Sequence, residues 1–116
     1  MTYKDCATCV KAGTKPKRGQ NKRLVFDPMI TMSGPPTIAG HRISAEFMAE
    51  RVYALGIQDQ LDNYDVNREE LLVCCWWAGV YGPKRLKLIF KEWADNAGEH
   101  LWYGCVQIPD PPRESL

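Results

Sequence analysis

The sequence predicts a mainly α-helical protein with short β elements, in which a helix-turn-helix-like helical core follows an N-terminal strand or hairpin. Two observations predict this fold class. Residues 26–79 contain a glycine-rich extended piece followed by three short helical patterns, each with its own start and stop signals. The 116 residues are 45% hydrophobic and 10% aromatic, which is enough apolar surface for one compact core. We therefore expect one domain, spanning residues 24–108.

The two ends of the chain differ from this body in composition. Residues 1–23 contain seven basic residues and one acidic residue, a net charge of +6, whereas the whole chain carries +1. The stretch 14–23 has no apolar side chain to bury, so we expect residues 1–23 to form a flexible basic arm. Residues 109–116 are rich in proline and charge, and we expect a disordered tail. No apolar run approaches the ~20 residues that cross a bilayer, so we expect a soluble, cytoplasmic protein without a membrane partner.

The β elements are predicted on either side of the helices. Residues 24–26 form a short apolar run that ends at an Asp-Pro pair, and residues 36–43 alternate apolar and polar side chains around Gly40. Residues 101–108 are predicted to form a final strand, interrupted by Gly104.

The first two helices follow the predicted hairpin. Ser44 is a suitable N-cap for the first helix, which is expected to stop at Gly56. Ile57, Leu61 and Tyr64 then recur at i, i+4 and i+7, which predicts a second, shorter helix.

The third and fourth helices have clear start signals. Asn67 and Glu70 have the spacing of a capping box, which predicts that the third helix begins there. Pro83 suits the first turn of the fourth helix, which is expected to close at Gly98. The apolar stripe of this fourth helix consists of Leu86, Ile89, Phe90, Trp93 and Ala97.

The pattern Pro-x-Ile-x-Gly-x-Arg-Ile at residues 36–43, with the helices behind it, carries a resemblance to a known family. It is followed by a helix ending in Leu-Gly, a short helix that reaches Tyr64, and a helix with an acidic start. Over about half of the chain this combination resembles the bacterial domain of unknown function family 433, described as VapB-like antitoxins. The Cys-Cys-Trp-Trp-Ala-Gly segment at 74–79, the helix around Trp93 and the N-terminal Cys-x-x-Cys resemble a variant carried by small actinobacterial phage proteins.

The sequence departs from the family pattern at two turns. His41 stands where the family usually has Thr, and residues 64–66 replace the common Tyr-Pro-x-Leu turn. The resemblance implies a helix-turn-helix-type DNA-binding or antitoxin-like module that acts in a bacterial host cell.

The third predicted helix has few side chains that could form hydrogen bonds with DNA bases. Only Asn67 and Arg68, at its start, are donors suited to base edges. Apolar side chains at residues 71–77 cover the helix on every side. We therefore expect this helix to be buried, either in the core or against a partner.

Two adjacent tryptophans in this helix predict an interface. Trp76 and Trp77 point about 100° apart, so one core face does not easily hide both rings. We expect a homodimer or partner interface formed by Trp76, Trp77 and Val80. The alternative is that a single well-wrapped monomer buries both rings.

A better candidate for binding nucleic acid is the fourth helix together with the arm. Lys84, Lys87 and Lys91 recur at i, i+3 and i+7, with Arg85 beside them, opposite the apolar stripe. Such cations contact phosphates, and a mobile basic arm adds backbone or minor-groove contacts. The alternative is that these residues form only a solvated surface. The arm residues in this prediction are Lys15, Lys17, Arg18, Lys22 and Arg23.

The cysteines predict zinc as the candidate metal. Cys6 and Cys9 have the spacing of half a zinc site, because two intervening residues let both sulfurs reach one ion. The missing ligands would be His100 with Cys105, or His41. The alternative is that Cys6 and Cys9 are free thiols. The two cysteines of the third helix are expected to be small core residues.

The sequence contains no catalytic motif, such as a nucleophile elbow, a phosphate-binding glycine loop or a helical pair of histidines, so we expect no enzymatic activity. Two functions remain. The first is a small, dimeric DNA-binding regulatory protein, antitoxin-like or phage-encoded, with double-stranded DNA as its partner. The alternative is a protein-interaction module that binds a toxin or host factor through the tryptophan surface without nucleic acid.

Overall fold

The computed structural model describes residues 36–38, 43–102 and 108–114. Predictions for the arm, for the strand at 24–26, and for Gly40 and Gly104 lie outside these residues. Within them the protein is mainly helical, and the predicted order of four helices is confirmed. These helices are α1 (Ala45–Leu55), α2 (Ile57–Asn63), α3 (Arg68–Tyr81) and α4 (Lys84–Trp102).

A short antiparallel contact precedes α1. An isolated bridge joins Thr37 and Ser44, and the backbone N–H of Ile38 donates to the carbonyl of Ile43 at 3.1 Å. The Ile38 side chain is fully buried in the core. The described part of the predicted strand or hairpin is therefore attached to the start of α1.

Local signals set the bounds of the first three helices. The Ser44 hydroxyl accepts a hydrogen bond from the Phe47 N–H at 3.1 Å and caps α1. Gly56, with a φ of 88°, ends α1 in a backbone conformation that other residues resist. Asn67 and Glu70 form the predicted capping box, because the side chain of each accepts a hydrogen bond from the backbone N–H of the other.

The core is built around α3, which packs against both α1 and α4. Residues 70–75 and 77–79 of α3 are buried, so the expectation that this helix is buried is confirmed. Its neighbours contribute complementary apolar faces. The fully buried side chains from these neighbours include Met48 and Ala49 of α1, and Leu86, Phe90 and Ala97 of α4.

Helices α3 and α4 approach each other closely at Gly79. A Cβ atom added there would lie 2.7 Å from the Cβ of Ala94 and 2.8 Å from the carbonyl oxygen of Phe90. Backbone and a short side chain fill this space, so only glycine fits without a shift of the helices.

The end of α4 differs from the prediction. The sequence predicts that this helix closes at Gly98 and that a strand begins at residue 101, but Leu101 and Trp102 still belong to α4. Gly98 lies under Trp76, because a Cβ added to it would lie 2.8 Å from the indole Nε1. This glycine therefore provides room for a ring rather than a helix stop. Residues 103–107 lie outside the described part of the chain.

The C-terminal segment, residues 108–114, lies against the helices, whereas composition predicts a disordered tail from residue 109. Trp93 Nε1 donates to the carbonyl of Pro109 at 3.1 Å. The Arg68 guanidinium donates to the carbonyl of Ile108 and forms an ion pair with Asp110 at 3.2 Å. Prolines lack an N–H, so the segment has few backbone donors to satisfy, and its carbonyls find donors on α3 and α4.

We predict that Gly79→Ala lowers the free energy of unfolding by about 1–3 kcal/mol, because the added methyl group overpacks the contact between α3 and α4. This loss exceeds the gain of about 0.5–1 kcal/mol that alanine brings to a helix interior in place of glycine. Urea unfolding measures the net change in the free energy of unfolding, which combines the overpacking cost and the gain in helix propensity. Asn96→Ala, at an exposed position on α4, is the matched control and should stay within about 0.5 kcal/mol of the parent. An unchanged or stabilised Gly79→Ala protein would contradict this packing.

Candidate nucleic-acid interface

The first half of α4 exposes a row of lysines. Lys84, Lys87 and Lys91 are all exposed, whereas Leu86 and Phe90 on the other side of the helix are fully buried. None of the three lysines forms an ion pair with another described residue. We call these three residues the lysine surface. The structure brings them to one side of α4, as their spacing predicts.

Arg85 differs from its lysine neighbours. Its guanidinium forms an ion pair with Glu50 of α1, and its side chain remains 63% exposed. The sequence groups Arg85 with the lysines as a nucleic-acid contact, but part of its hydrogen-bonding capacity is used within the monomer. Sequence spacing does not reveal this partner, because Glu50 lies 35 positions earlier.

The electrostatics of α4 favour an anion near its start. The first turn contains no acidic residue, and the helix dipole adds partial positive charge at the same end. Lysines placed there destabilise the helix by roughly 0.3–1 kcal/mol each, so a phosphate near them relieves an unfavourable arrangement. Further along, Glu92 and Asp95 are exposed, which limits the positive surface to the first half of the helix.

The two predicted base-reading residues of α3 have structural roles. The Asn67 side chain accepts the capping hydrogen bond from the Glu70 N–H at 2.8 Å. The Arg68 guanidinium binds the C-terminal segment through a carbonyl and through Asp110. Their role in binding nucleic acid stays a prediction, but their polar atoms already have partners within the monomer.

The tryptophans of α3 are largely covered within the monomer. Trp77 is only 6% exposed, and its buried Nε1 has no hydrogen-bond partner among the described residues. Trp76 is partly exposed and meets the Tyr81 ring edge to face, with ring centres 5.8 Å apart. Val80 is partly exposed. This arrangement favours the alternative in which one monomer covers both rings, and an interface at Trp76, Trp77 and Val80 stays a prediction.

The zinc prediction falls mostly outside the described residues, which include neither Cys6 and Cys9 nor His41 and Cys105. His100 is 4% exposed in the last turn of α4. Across the described ranges, no group of three or more metal-binding side chains is assembled.

The two cysteines of α3 are core residues, as the sequence predicts. Cys74 and Cys75 are fully buried. Burial, followed by the nearby Glu70 carboxylate, raises the pKa of the Cys74 thiol well above its ordinary value of 9.0. Burial also raises the pKa of Cys75, with Cys74 as the smaller cause. Neither thiol is suited to act as a nucleophile or a metal ligand, since both functions require the thiolate.

One exposed side chain of α4 is missed by the sequence prediction. Leu88 is 77% exposed, the largest exposure among the large apolar residues that the structure describes. The helical repeat contains a signal for it, because Leu88 lies off the apolar stripe and between the lysines. In the same described part of the chain, no helix is both long and apolar enough to cross a membrane.

Comparison with protein-family models, with curated proteins and with solved structures finds no match to this chain. The resemblance to family 433 therefore stays a prediction from the sequence pattern.

We predict that Arg68→Ala lowers the free energy of unfolding by about 1 kcal/mol, because it removes the hydrogen bond to the Ile108 carbonyl and the ion pair with Asp110. The Arg68 side chain is 36% exposed, so solvent screening keeps the contribution of the ion pair small. Urea unfolding is the measurement. Lys87→Ala, which removes an exposed cation without a partner among the described residues, should leave stability within about 0.5 kcal/mol. Equal effects of the two substitutions would show that Arg68 does not anchor the C-terminal segment.

We predict that Cys74 and Cys75 resist alkylation in the folded protein at about pH 8, because burial keeps both thiols protonated. Mass spectrometry of peptides after iodoacetamide treatment should find both modified only in denaturant. In the unfolded chain these thiols ionise near 9.0, so the free energy of unfolding should fall as pH rises above that value. Rapid modification of either residue in native protein would contradict the buried placement.

Proposed function

We propose that this protein is a small DNA-binding regulatory protein, antitoxin-like or phage-encoded, that binds the phosphates of double-stranded DNA through the lysine surface of α4. The observation that carries the proposal is the exposure of Lys84, Lys87 and Lys91 on one side of a helix, without partners among the described residues. Phosphate contacts of this kind supply most of the affinity in non-specific DNA binding.

The spacing of the lysines suits a contact with one part of a duplex. Seven residues separate Lys84 from Lys91, a rise of about 10 Å along an α-helix. Duplex DNA carries one negative charge per about 1.7 Å of its axis, so three cations over this length meet a dense row of phosphates. The lysines carry no base-edge readout, and the recognition they provide is therefore largely independent of sequence.

The proposal assigns different tasks to the other elements. The order of α2, a four-residue connection and α3 is helix-turn-helix-like, but α3 belongs to the core and α4 provides the cations. The basic arm would add contacts through Lys15, Lys17, Arg18, Lys22 and Arg23, in the manner of arms that follow a groove or backbone. This assignment fits a cytoplasmic regulator in a bacterial host.

We predict that replacing Lys84, Lys87 and Lys91 together by Gln weakens binding to random duplex DNA and makes the slope of log K against log salt shallower by about 3. For three contacts this slope corresponds to a roughly 40-fold loss of affinity between about 50 and 200 mM salt. Fluorescence anisotropy with labelled duplex gives the slope directly. Gln is polar and a good helix former, so the exposed helix face should stay intact.

Two controls separate the lysine surface from general charge. Arg113→Gln removes an exposed cation outside α4 and should change the slope much less. Deletion of residues 1–23 tests the arm independently of the lysines. An unchanged slope in the triple variant would exclude α4 as the contact surface.

A second candidate function, a module that binds a toxin or host protein, is favoured by one observation. Tyr81 is 46% exposed and lies edge to face with Trp76, beside Val80, so a small aromatic surface remains at the end of α3. Tyrosine and tryptophan are enriched at protein interfaces. Absence of duplex binding by the parent protein at about 50 mM salt would favour this candidate over the first.

A further inference from the structure

The solvent-facing side of α4 has a charge pattern that is complementary to itself. Lys84, Leu88, Lys91 and Asp95 are separated by four, three and four residues, so they form one stripe along the exposed side of the helix. This is also the spacing of a coiled-coil seam. Lysines occupy the first and third positions of the stripe, Leu88, which is 77% exposed, occupies the second, and a carboxylate ends it.

We propose that this stripe is a docking surface for a second copy of the chain, with α4 packed antiparallel against α4 of the partner around a two-fold axis. The axis passes near the peptide bond between residues 89 and 90. Lys84 then faces Asp95 of the second copy, and Leu88 lies against the aliphatic part of Lys91. The two-fold axis repeats each contact, so both ends of the helix pair are closed by opposite charges.

The flank of the stripe supports the same register. Arg85 and Glu92 lie on one side of it, and antiparallel pairing brings Arg85 of each copy toward Glu92 of the other. Arg85 also keeps its ion pair with Glu50 of α1 in its own chain. A parallel pair would instead place Lys84 beside Lys84 and Asp95 beside Asp95, so that no opposite charges of the stripe face each other.

The size of this contact predicts a weak and concentration-dependent dimer. The helix has 19 residues, a length of about 28 Å, and Leu88 is the single apolar side chain of the stripe. One helix pair of this kind falls at the low end of specific interfaces, where association is transient. We therefore expect a dissociation constant on the order of 100 μM and loss of the dimer at high salt.

The dimer would cover part of the surface that the proposed function assigns to DNA. Competition between the second copy and DNA is the only part of this inference that rests on the proposed function. Lys84 and Lys91 would be covered by the second copy, so self-association and duplex binding would exclude each other. Self-association is measured without DNA, and its outcome is therefore independent of whether the protein binds DNA.

A charge exchange in the full chain tests the inference. Sedimentation velocity over about 5–500 μM, a range chosen to bracket the expected constant, follows dimer formation by the parent protein. Lys84→Asp and Asp95→Lys should each weaken association about tenfold or more, because each places like charges opposite one another. The double variant, Lys84→Asp with Asp95→Lys, restores opposite charges and should return to within about threefold of the parent.

Two further variants complete the test. Leu88→Gln should weaken the dimer, whereas Val80→Thr at the end of α3 should leave it unchanged. All substituted side chains are exposed or partly exposed, so circular dichroism should report a folded protein throughout. A protein that stays monomeric over the whole range would overturn the inference. So would a double variant without rescue, or a dimer that responds to Val80→Thr and not to the charge reversals.

Discussion

The fold depends on the enclosure of α3, whose apolar side chains point in every direction around the helix. Such a helix is stable only if neighbours cover most of its surface, and α1 and α4 do so for residues 70–75 and 77–79. The contact at Gly79 lets α4 approach α3 so closely that no empty space remains between the two helices at this point. Enclosure has a consequence for function, because a buried helix cannot enter a DNA groove. Among the described helices, a surface for DNA therefore has to lie on an outer one, and α4 presents one long exposed side.

Sequence was sufficient for features whose partners are close along the chain. Ser44 caps a helix three residues away, and Asn67 forms its capping box with Glu70, so these helix starts were predictable from spacing alone. Glycine shows where this reasoning fails. Gly56 ends a helix through its positive φ, whereas Gly98 lies inside α4, where the absence of a side chain leaves room for the Trp76 ring of α3. That distinction depends on a contact between two different helices, which local pattern does not contain.

The distance along the chain between interacting residues also decides which parts of the candidate site were predictable. Exposure of the lysines follows from the helical period of α4, since their positions are opposite the apolar stripe. The engagement of Arg85 by Glu50 and of Arg68 by Asp110 does not, because these partners are 35 and 42 positions apart in the chain. Binding of the C-terminal segment by Trp93 likewise requires knowledge of the folded arrangement. Cationic residues therefore look equivalent in sequence, although only some remain available for a ligand.

Electrostatics explains why the exposed side of α4 is compatible with both proposed partners. Lysines near the helix start are unfavourable toward the helix dipole, and no acidic residue of the first turn compensates them. A phosphate and a carboxylate from a second copy both supply the missing negative charge. The two partners differ in the density of their negative charge. DNA carries phosphates along its whole length, whereas the second copy presents only the carboxylates of Asp95 and Glu92 at fixed positions. Salt weakens both contacts. Dilution of the protein below the dissociation constant of the dimer separates the two copies, so at low protein concentration the second copy no longer covers the lysines.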